Sequence, residues 1–82
     1  MNYAIKERLR FIDCLAQHQG QVFREPLMAY FGISPAAATR DFRKYIELRP
    51  NNLAYNPSER RYYKTASFQP LFDNSTQELT NE

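Results

Sequence analysis

The stretch YFGISPAAATRDFRKY, residues 30–45, decides the fold of this chain, because it contains the end of one helix and the start of another. Gly32 can adopt the left-handed backbone conformation that commonly ends a helix. Ser34 can cap the following helix, and Pro35 suits its first turn, where a missing N–H has no consequence. The sequence therefore predicts two helices joined by a tight turn.

The second of these helices should run from Pro35 to Leu48, because Pro50 and the two asparagines after it stop a helix. Its apolar positions recur at helical spacing on one side, and they are Ala38, Phe42, Tyr45 and Ile46. Another side carries Thr39, Arg40 and Arg43. One packing side and one polar, basic side after a tight turn are typical of the recognition helix of a helix-turn-helix.

The residues before this stretch predict two further helices. We expect an amphipathic helix from Asn2 to about His18 that ends at Gly20, followed by a short extended piece at residues 21–23. A short helix should then begin near Arg24 or Glu25. The apolar side of the first helix contains Ile5, Leu9, Ile12 and Leu15, and that of the second contains Leu27, Met28 and Phe31.

The residues after the recognition helix predict a small hairpin. Strands are expected at residues 53–55 and 60–64, around a turn at residues 56–59. An isolated hairpin is marginal in water, so Leu53, Tyr55 and one of Tyr62 or Tyr63 must pack on the helices. Alternation alone does not choose between Tyr62 and Tyr63. The predicted fold class is mainly α with a small β-hairpin: a winged helix-turn-helix of three helices plus a wing.

The positive charge is concentrated on the predicted recognition helix and wing. Residues 34–64 carry seven Lys or Arg against three acids, a net charge of +4. Residues 1–33 carry +1 and residues 65–82 carry −3. A phosphate-binding surface requires such a local excess of positive charge, so double-stranded DNA is the expected partner.

The composition argues against several other classes of protein. The 82 residues suit one small domain, and a chain of this size buries only about 60% of the surface that it exposes when unfolded. Cys14 and His18 are too few for a disulfide or a structural zinc site, and we expect no catalytic residues, metal or cofactor. The sequence has no apolar run of about 20 residues, so no membrane span is expected, and the expected compartment is the cytoplasm.

The candidate DNA-binding residues follow from their positions. In a helix-turn-helix the N-terminal part of the recognition helix faces base edges, and Arg40 is the best candidate for a bidentate contact to guanine. The wing cations would contact phosphates or the minor groove, although a solvated hairpin rim is the alternative explanation for them. The recognition-helix set is Ser34, Pro35, Ala36, Thr39, Arg40 and Arg43, and the backbone and wing set is Arg24, Lys44, Arg60, Arg61 and Lys64. Asp41 is expected to pair with Arg40, Lys44 or Tyr45.

The C-terminal part of the sequence divides into two pieces. Residues 66–72 contain Phe68, Leu71 and Phe72 and are too apolar for a solvated tail, so they either dock on the domain or lead into a further one. If these three side chains were uncovered, they would favour a winged-helix protein-protein interaction module or a dimer interface instead of DNA binding. Residues 73–82 lack periodicity and are expected to be a disordered tail.

From about Lys6 to Phe72 the chain resembles the N-terminal winged helix-turn-helix of WYL-domain transcriptional regulators of the BrxR/CapW type, which are linked to bacterial phage-defence loci. The matching residues are 32–41, Asn52-Leu53, Tyr55, Arg61-Tyr62 and the Phe68-Gln69-Pro70-Leu71-Phe72 element. Residues 33–42 also resemble the broader DeoR-type pattern, so this part alone is less specific. The wing and the element at residues 68–72 make the resemblance specific to the BrxR/CapW type.

The resemblance implies a dimeric repressor that binds an inverted repeat near its own or a neighbouring operon, with a WYL domain that senses a ligand. Residues 1–65 would form the DNA-binding domain, and residues 66–72 would lead toward the WYL domain, which these 82 residues do not contain.

Overall fold

A computed structural model of the chain describes residues 2–73. Its elements in chain order are α1 (Tyr3–Gln19), β1 (Gln21–Val22), α2 (Arg24–Phe31), α3 (Pro35–Leu48), β2 (Leu53–Asn56) and β3 (Arg61–Lys64). The predicted fold class, three helices with a small antiparallel hairpin, is confirmed. The predicted disordered tail lies outside the described residues, except for Asp73.

The turn between α2 and α3 forms by the local interactions that its residues predict. Gly32 has a φ of 64°, and its N–H donates to the Met28 carbonyl at 2.8 Å, which ends α2. The Ser34 hydroxyl accepts a hydrogen bond from the Ala37 N–H at 3.1 Å, and Pro35 is the first residue of α3. The start of the recognition helix is therefore specified within a few residues.

The wing is part of a three-stranded sheet, which the sequence did not predict. The strand order is β1-β3-β2, and both neighbouring pairs are antiparallel. Residues 21–23 were expected to be extended, but the pairing of Val22 with Tyr62 joins sequence-distant segments and has no local signal. This third strand supplies the support that an isolated hairpin lacks.

The turn of the wing lies one residue later than predicted. Asn56 belongs to β2, and its side-chain oxygen accepts hydrogen bonds from the N–H groups of Ser58 and Glu59 at 3.0 and 3.2 Å. Arg60, which was expected in the second strand, instead closes the turn with a φ of 58°. The side chain of Asn56 thus organises the turn by mimicking backbone hydrogen bonding.

The core resolves which tyrosine of the wing points inward. Tyr62 stacks on Phe42 of α3 with ring centroids 4.4 Å apart and an angle of 4° between the rings. The Tyr63 hydroxyl instead donates a hydrogen bond to the Glu59 carboxylate in the turn of the wing. The expectation that Tyr55 packs on the helices is wrong: it is 52% exposed and rests against the ring of Tyr62. The buried apolar side chains are Leu9, Ile12, Ala16, Val22, Leu27, Ala38, Phe42 and Tyr45.

A buried carboxylate, Asp13 of α1, lies among these apolar side chains. Its oxygens accept hydrogen bonds from the Tyr45 hydroxyl at 2.5 Å and from the backbone N–H groups of Leu71 and Phe72 at 2.9 and 3.0 Å. Burial, followed by the hydrogen bond to Asp13, raises the pKa of Tyr45, so its hydroxyl stays protonated and remains a donor. This carboxylate joins α1, α3 and residues 71–72.

Asn52 extends the same network. Its side-chain amide donates to the Tyr45 hydroxyl at 3.0 Å and to the Gln69 carbonyl at 2.8 Å, and its oxygen accepts from the Gln69 N–H at 2.9 Å. Phe68, Leu71 and Phe72 pack against the core as partly buried side chains. Residues 66–72, the exit segment, therefore dock on the domain, which was one of the two expectations for them.

We predict that Asp13→Asn lowers the free energy of unfolding by about 2–3 kcal/mol, because the new amide NH2 group faces N–H and O–H donors. Urea denaturation at neutral pH measures the change. Glu7→Gln is the matched control on α1, because it removes the charge of a partly exposed carboxylate. Glu7 makes only a surface ion pair, with 3.7 Å between its Oε2 and Arg10 Nε, so the substitution should cost less than about 1 kcal/mol. Equal losses in both variants would contradict the structural role of Asp13.

Candidate nucleic-acid interface

The N-terminal part of α3 presents most of the predicted recognition residues to solvent. Thr39 is an exception because it is half-buried, and its hydroxyl accepts a hydrogen bond from Arg24 Nη1 of α2 at 3.3 Å. Arg24 is half-buried as well. The exposed members of the two predicted sets on this helix and the turn before it are Ser34, Pro35, Ala36, Arg40, Arg43 and Lys44.

The expected partners of Asp41 are wrong. Asp41 points toward α1, where Arg8 Nε lies 2.6 Å from one carboxylate oxygen and Arg8 Nη2 lies 3.3 Å from the other. The helical spacing from Asp41 to Lys44 and Tyr45 suggested a partner on α3, but Asp41 lies on the buried side of that helix. The pair therefore neutralises the carboxylate and attaches the recognition helix to α1.

An open groove of about 550 Å³ separates α1 from α3 on the side of this ion pair. Arg40 and Lys44 line it together with Arg8 and Asp41, and Ile5, Ala37 and Leu48 supply its apolar lining. Neither Arg40 nor Lys44 forms an ion pair within residues 2–73. Their charges are consequently available to an external anion along one edge of the recognition helix.

The predicted wing cations differ in their surroundings. Arg61 donates to Gln21 Oε1 at 2.9 Å, and its guanidinium lies 3.9 Å above the centre of the Phe23 ring. Lys64 donates to the Gln17 carbonyl at 3.2 Å, at the end of α1. Arg60 is exposed in the turn of the wing and has no side-chain hydrogen bond or ion pair within residues 2–73. Arg61 and Lys64 are thus tied to the body of the domain, and a role for them in DNA binding stays a prediction.

Sequence reasoning missed that Tyr62, whose ring lies against that of Tyr55, is close to the predicted cations Arg24 and Arg43. Burial and the neighbouring Tyr55 raise the pKa of Tyr62, while Arg24 and Arg43 act on its hydroxyl in the opposite direction. The aromatic pattern indicated packing, and only the register that pairs Tyr55 with Tyr62 places the Tyr55 ring beside the tyrosine that stacks on Phe42 of α3. A hairpin register inferred from the turn could have suggested this.

Other kinds of site find no support in the part of the chain that the structure describes. Within residues 2–73, no three His, Cys, Asp or Glu side chains come together as a metal site. Over the same residues, no helix combines the length and the apolar character needed to cross a membrane. Cys14 is a half-buried free thiol.

The geometry defines a winged helix-turn-helix with an exposed basic recognition helix, a class of fold that commonly contacts nucleic acids. Comparison with known families matches residues 4–80 to the BrxR transcriptional regulator winged helix-turn-helix domain, and the chain belongs to this family. The resemblance inferred from the sequence is therefore confirmed.

Similar proteins include three that are each named DNA-binding transcriptional repressor CapW. The relative from Escherichia coli strain KTE188 is 41% identical over 73 residues, which are 89% of this chain and 24% of the relative. The relative from Stenotrophomonas maltophilia is 39% identical over 64 residues, which are 78% of this chain and 21% of the relative. The relative from Pseudomonas aeruginosa is 38% identical over 73 residues, which are 89% of this chain and 24% of the relative. The chain spans about a quarter of the length of these relatives.

We predict that Arg8→Met lowers the free energy of unfolding by about 1–3 kcal/mol, because it leaves the buried Asp41 carboxylate without its partner. The double variant Arg8→Met with Asp41→Asn should lose less than the sum of the single losses. A double-mutant cycle in urea measures this coupling, with Lys6→Met at an exposed position of α1 as the control. Additive losses at Arg8 and Asp41 would show that the pair does not couple the helices.

Proposed function

We propose that this domain binds double-stranded DNA in a sequence-specific way and serves as the DNA-binding part of a transcriptional repressor. The observation that carries the proposal is the N-terminal part of α3, whose exposed Arg40 and Arg43 have no acidic partner among the described residues. The names of the relatives, each a DNA-binding transcriptional repressor, support the same function.

Position along α3 assigns a role to each residue. The N-terminal part of a recognition helix enters the major groove, where Arg40 would donate two hydrogen bonds to a guanine and Ala36 would contact a thymine methyl group. Thr39 would present its methyl group while Arg24 holds its hydroxyl. The remaining recognition contacts would come from Ser34, Pro35 and Arg43, and phosphate contacts from Arg24, Lys44, Arg60, Arg61 and Lys64.

The wider setting of the domain follows from its family. We propose that residues 66–72 connect it to a WYL domain, because the relatives are about four times as long as the region they share with this chain. A homodimer of the full-length protein would bind an inverted repeat, since the symmetry of a protein dimer matches that of its operator. The proposed setting is the bacterial cytoplasm, and the proposed target is a phage-defence or neighbouring operon.

Arg40→Ala tests the proposed base contact. We predict that it weakens binding to the duplex upstream of the native gene by about 1–3 kcal/mol and reduces discrimination against unrelated DNA. Fluorescence anisotropy with both duplexes measures the two effects. Lys6→Ala removes an exposed charge from α1 and serves as the control, with unchanged discrimination. Full affinity and discrimination in a double variant with Arg40→Ala and Arg43→Ala would refute the proposed recognition surface.

A further inference from the structure

The junction between α3 and the wing brings two tyrosines into one place. Tyr55 of β2 and Tyr62 of β3 are register partners, with ring centroids 4.6 Å apart. Tyr62 is fixed by its parallel stack on the buried ring of Phe42, whereas Tyr55 lies on the outside of the pair and is half exposed. The sheet therefore places the Tyr62 ring against Phe42 of the recognition helix and the Tyr55 ring on the outer side of Tyr62.

Two arginines lie at the same junction. Arg24, the first residue of α2, donates to the Thr39 hydroxyl, and Arg43 lies one helical turn after Thr39 on the same side of α3. Both guanidinium groups are close enough to the Tyr62 hydroxyl to lower its pKa against the effect of burial. Four elements of the fold, α2, α3, β2 and β3, thus each supply one polar group.

All four groups can donate hydrogen bonds, and none of them bonds to a negatively charged acceptor within residues 2–73. Within residues 2–73, the hydroxyls of Tyr55 and Tyr62 and the guanidinium of Arg43 make no hydrogen bond, and Arg24 bonds only to a neutral hydroxyl. Two other arginines and two other tyrosines do have acidic partners among the described residues. Such pairs are Arg8 with Asp41, Arg10 with Glu7, Tyr45 with Asp13, and Tyr63 with Glu59.

We propose that Arg24, Arg43, Tyr55 and Tyr62 together bind one phosphate of the DNA backbone, at the junction of the recognition helix and the wing. Two guanidinium groups and two hydroxyl donors suit a phosphodiester, because its oxygens accept several hydrogen bonds at once. This inference rests on the proposed DNA binding and deepens it. It assigns Arg43 to a phosphate and leaves Arg40 as the principal base contact on α3. The contact would fix the register of α3 in the groove because it joins helix and wing.

The test removes single hydroxyls without disturbing the stacked rings. Tyr62→Phe should weaken binding about three- to tenfold, and to a similar degree on operator and unrelated duplexes, because a phosphate contact carries no base information. Tyr55→Phe should have a similar or smaller effect. Arg43→Gln should weaken binding about tenfold or more and reduce the slope of log affinity against log salt by about 1. Tyr63→Phe is the matched control, since its hydroxyl bonds to Glu59, and it should bind like the wild type.

A neutral phosphate analogue identifies the contact directly. Single methylphosphonates placed along the bound duplex should include one position at which wild-type binding weakens and Tyr62→Phe causes no further loss. Inorganic phosphate at millimolar concentration should leave the Tyr62→Phe effect on DNA binding intact, because the site is built for a phosphate held by the duplex.

Several outcomes would overturn the inference. These are wild-type affinity in Tyr62→Phe with an unchanged melting temperature, loss of discrimination in place of uniform weakening, or additive losses at every methylphosphonate position. Failure of the proposed function looks different, because the wild-type domain would then bind no duplex even at low salt.

Discussion

Hydrogen bonds to the buried carboxylate of Asp13 hold α1, α3 and residues 71–72 together. A charged group without contact with water is costly unless hydrogen bonds surround it, and here the Tyr45 hydroxyl and two backbone N–H groups of the exit segment do so. The donors come from two separate parts of the chain, α3 and residues 71–72, so these hydrogen bonds all form only when both lie against α1. In a domain this small, with few fully buried apolar side chains, such a polar centre specifies one arrangement of the helices.

Three contacts fix the position of the recognition helix, and the hydrogen bond between Tyr45 and Asp13 is one of them. Asp13 and Tyr45 join α1 to the C-terminal part of α3, Arg8 and Asp41 join the same helices one turn earlier, and Phe42 stacks on Tyr62 of the wing. All three contacts use the inner side of α3, and Asp41, its most N-terminal acid, is neutralised by Arg8. The outer side keeps Arg40 and Arg43 without acidic partners among the described residues, which is the electrostatic condition for binding a polyanion.

The features predicted from sequence are those that neighbouring residues determine. Gly32, Ser34 and Pro35 act within one turn of chain, so the boundaries of α2 and α3 followed from residue type alone. The pairing of β1 with β3, the choice of Tyr62 over Tyr63, and the partner of Asp41 depend on residues 20 to 42 positions apart, for which periodicity carries no signal. The candidate site divides in the same way: Arg40 and Arg43 follow from their places on α3, while the pairing of Tyr55 with Tyr62 near Arg43 appears only once the sheet register is known.

An NMR titration of the 82-residue chain with the duplex upstream of its native gene tests DNA recognition by α3 and the wing. The largest amide shift changes are expected on residues 34–44 and on the wing around Tyr55, Arg60 and Tyr62, with small changes around Asp13 and residues 66–72. Changes concentrated on α1 and residues 66–72, with α3 unaffected, would contradict DNA recognition by α3, because DNA would then bind a surface that leaves out the recognition helix.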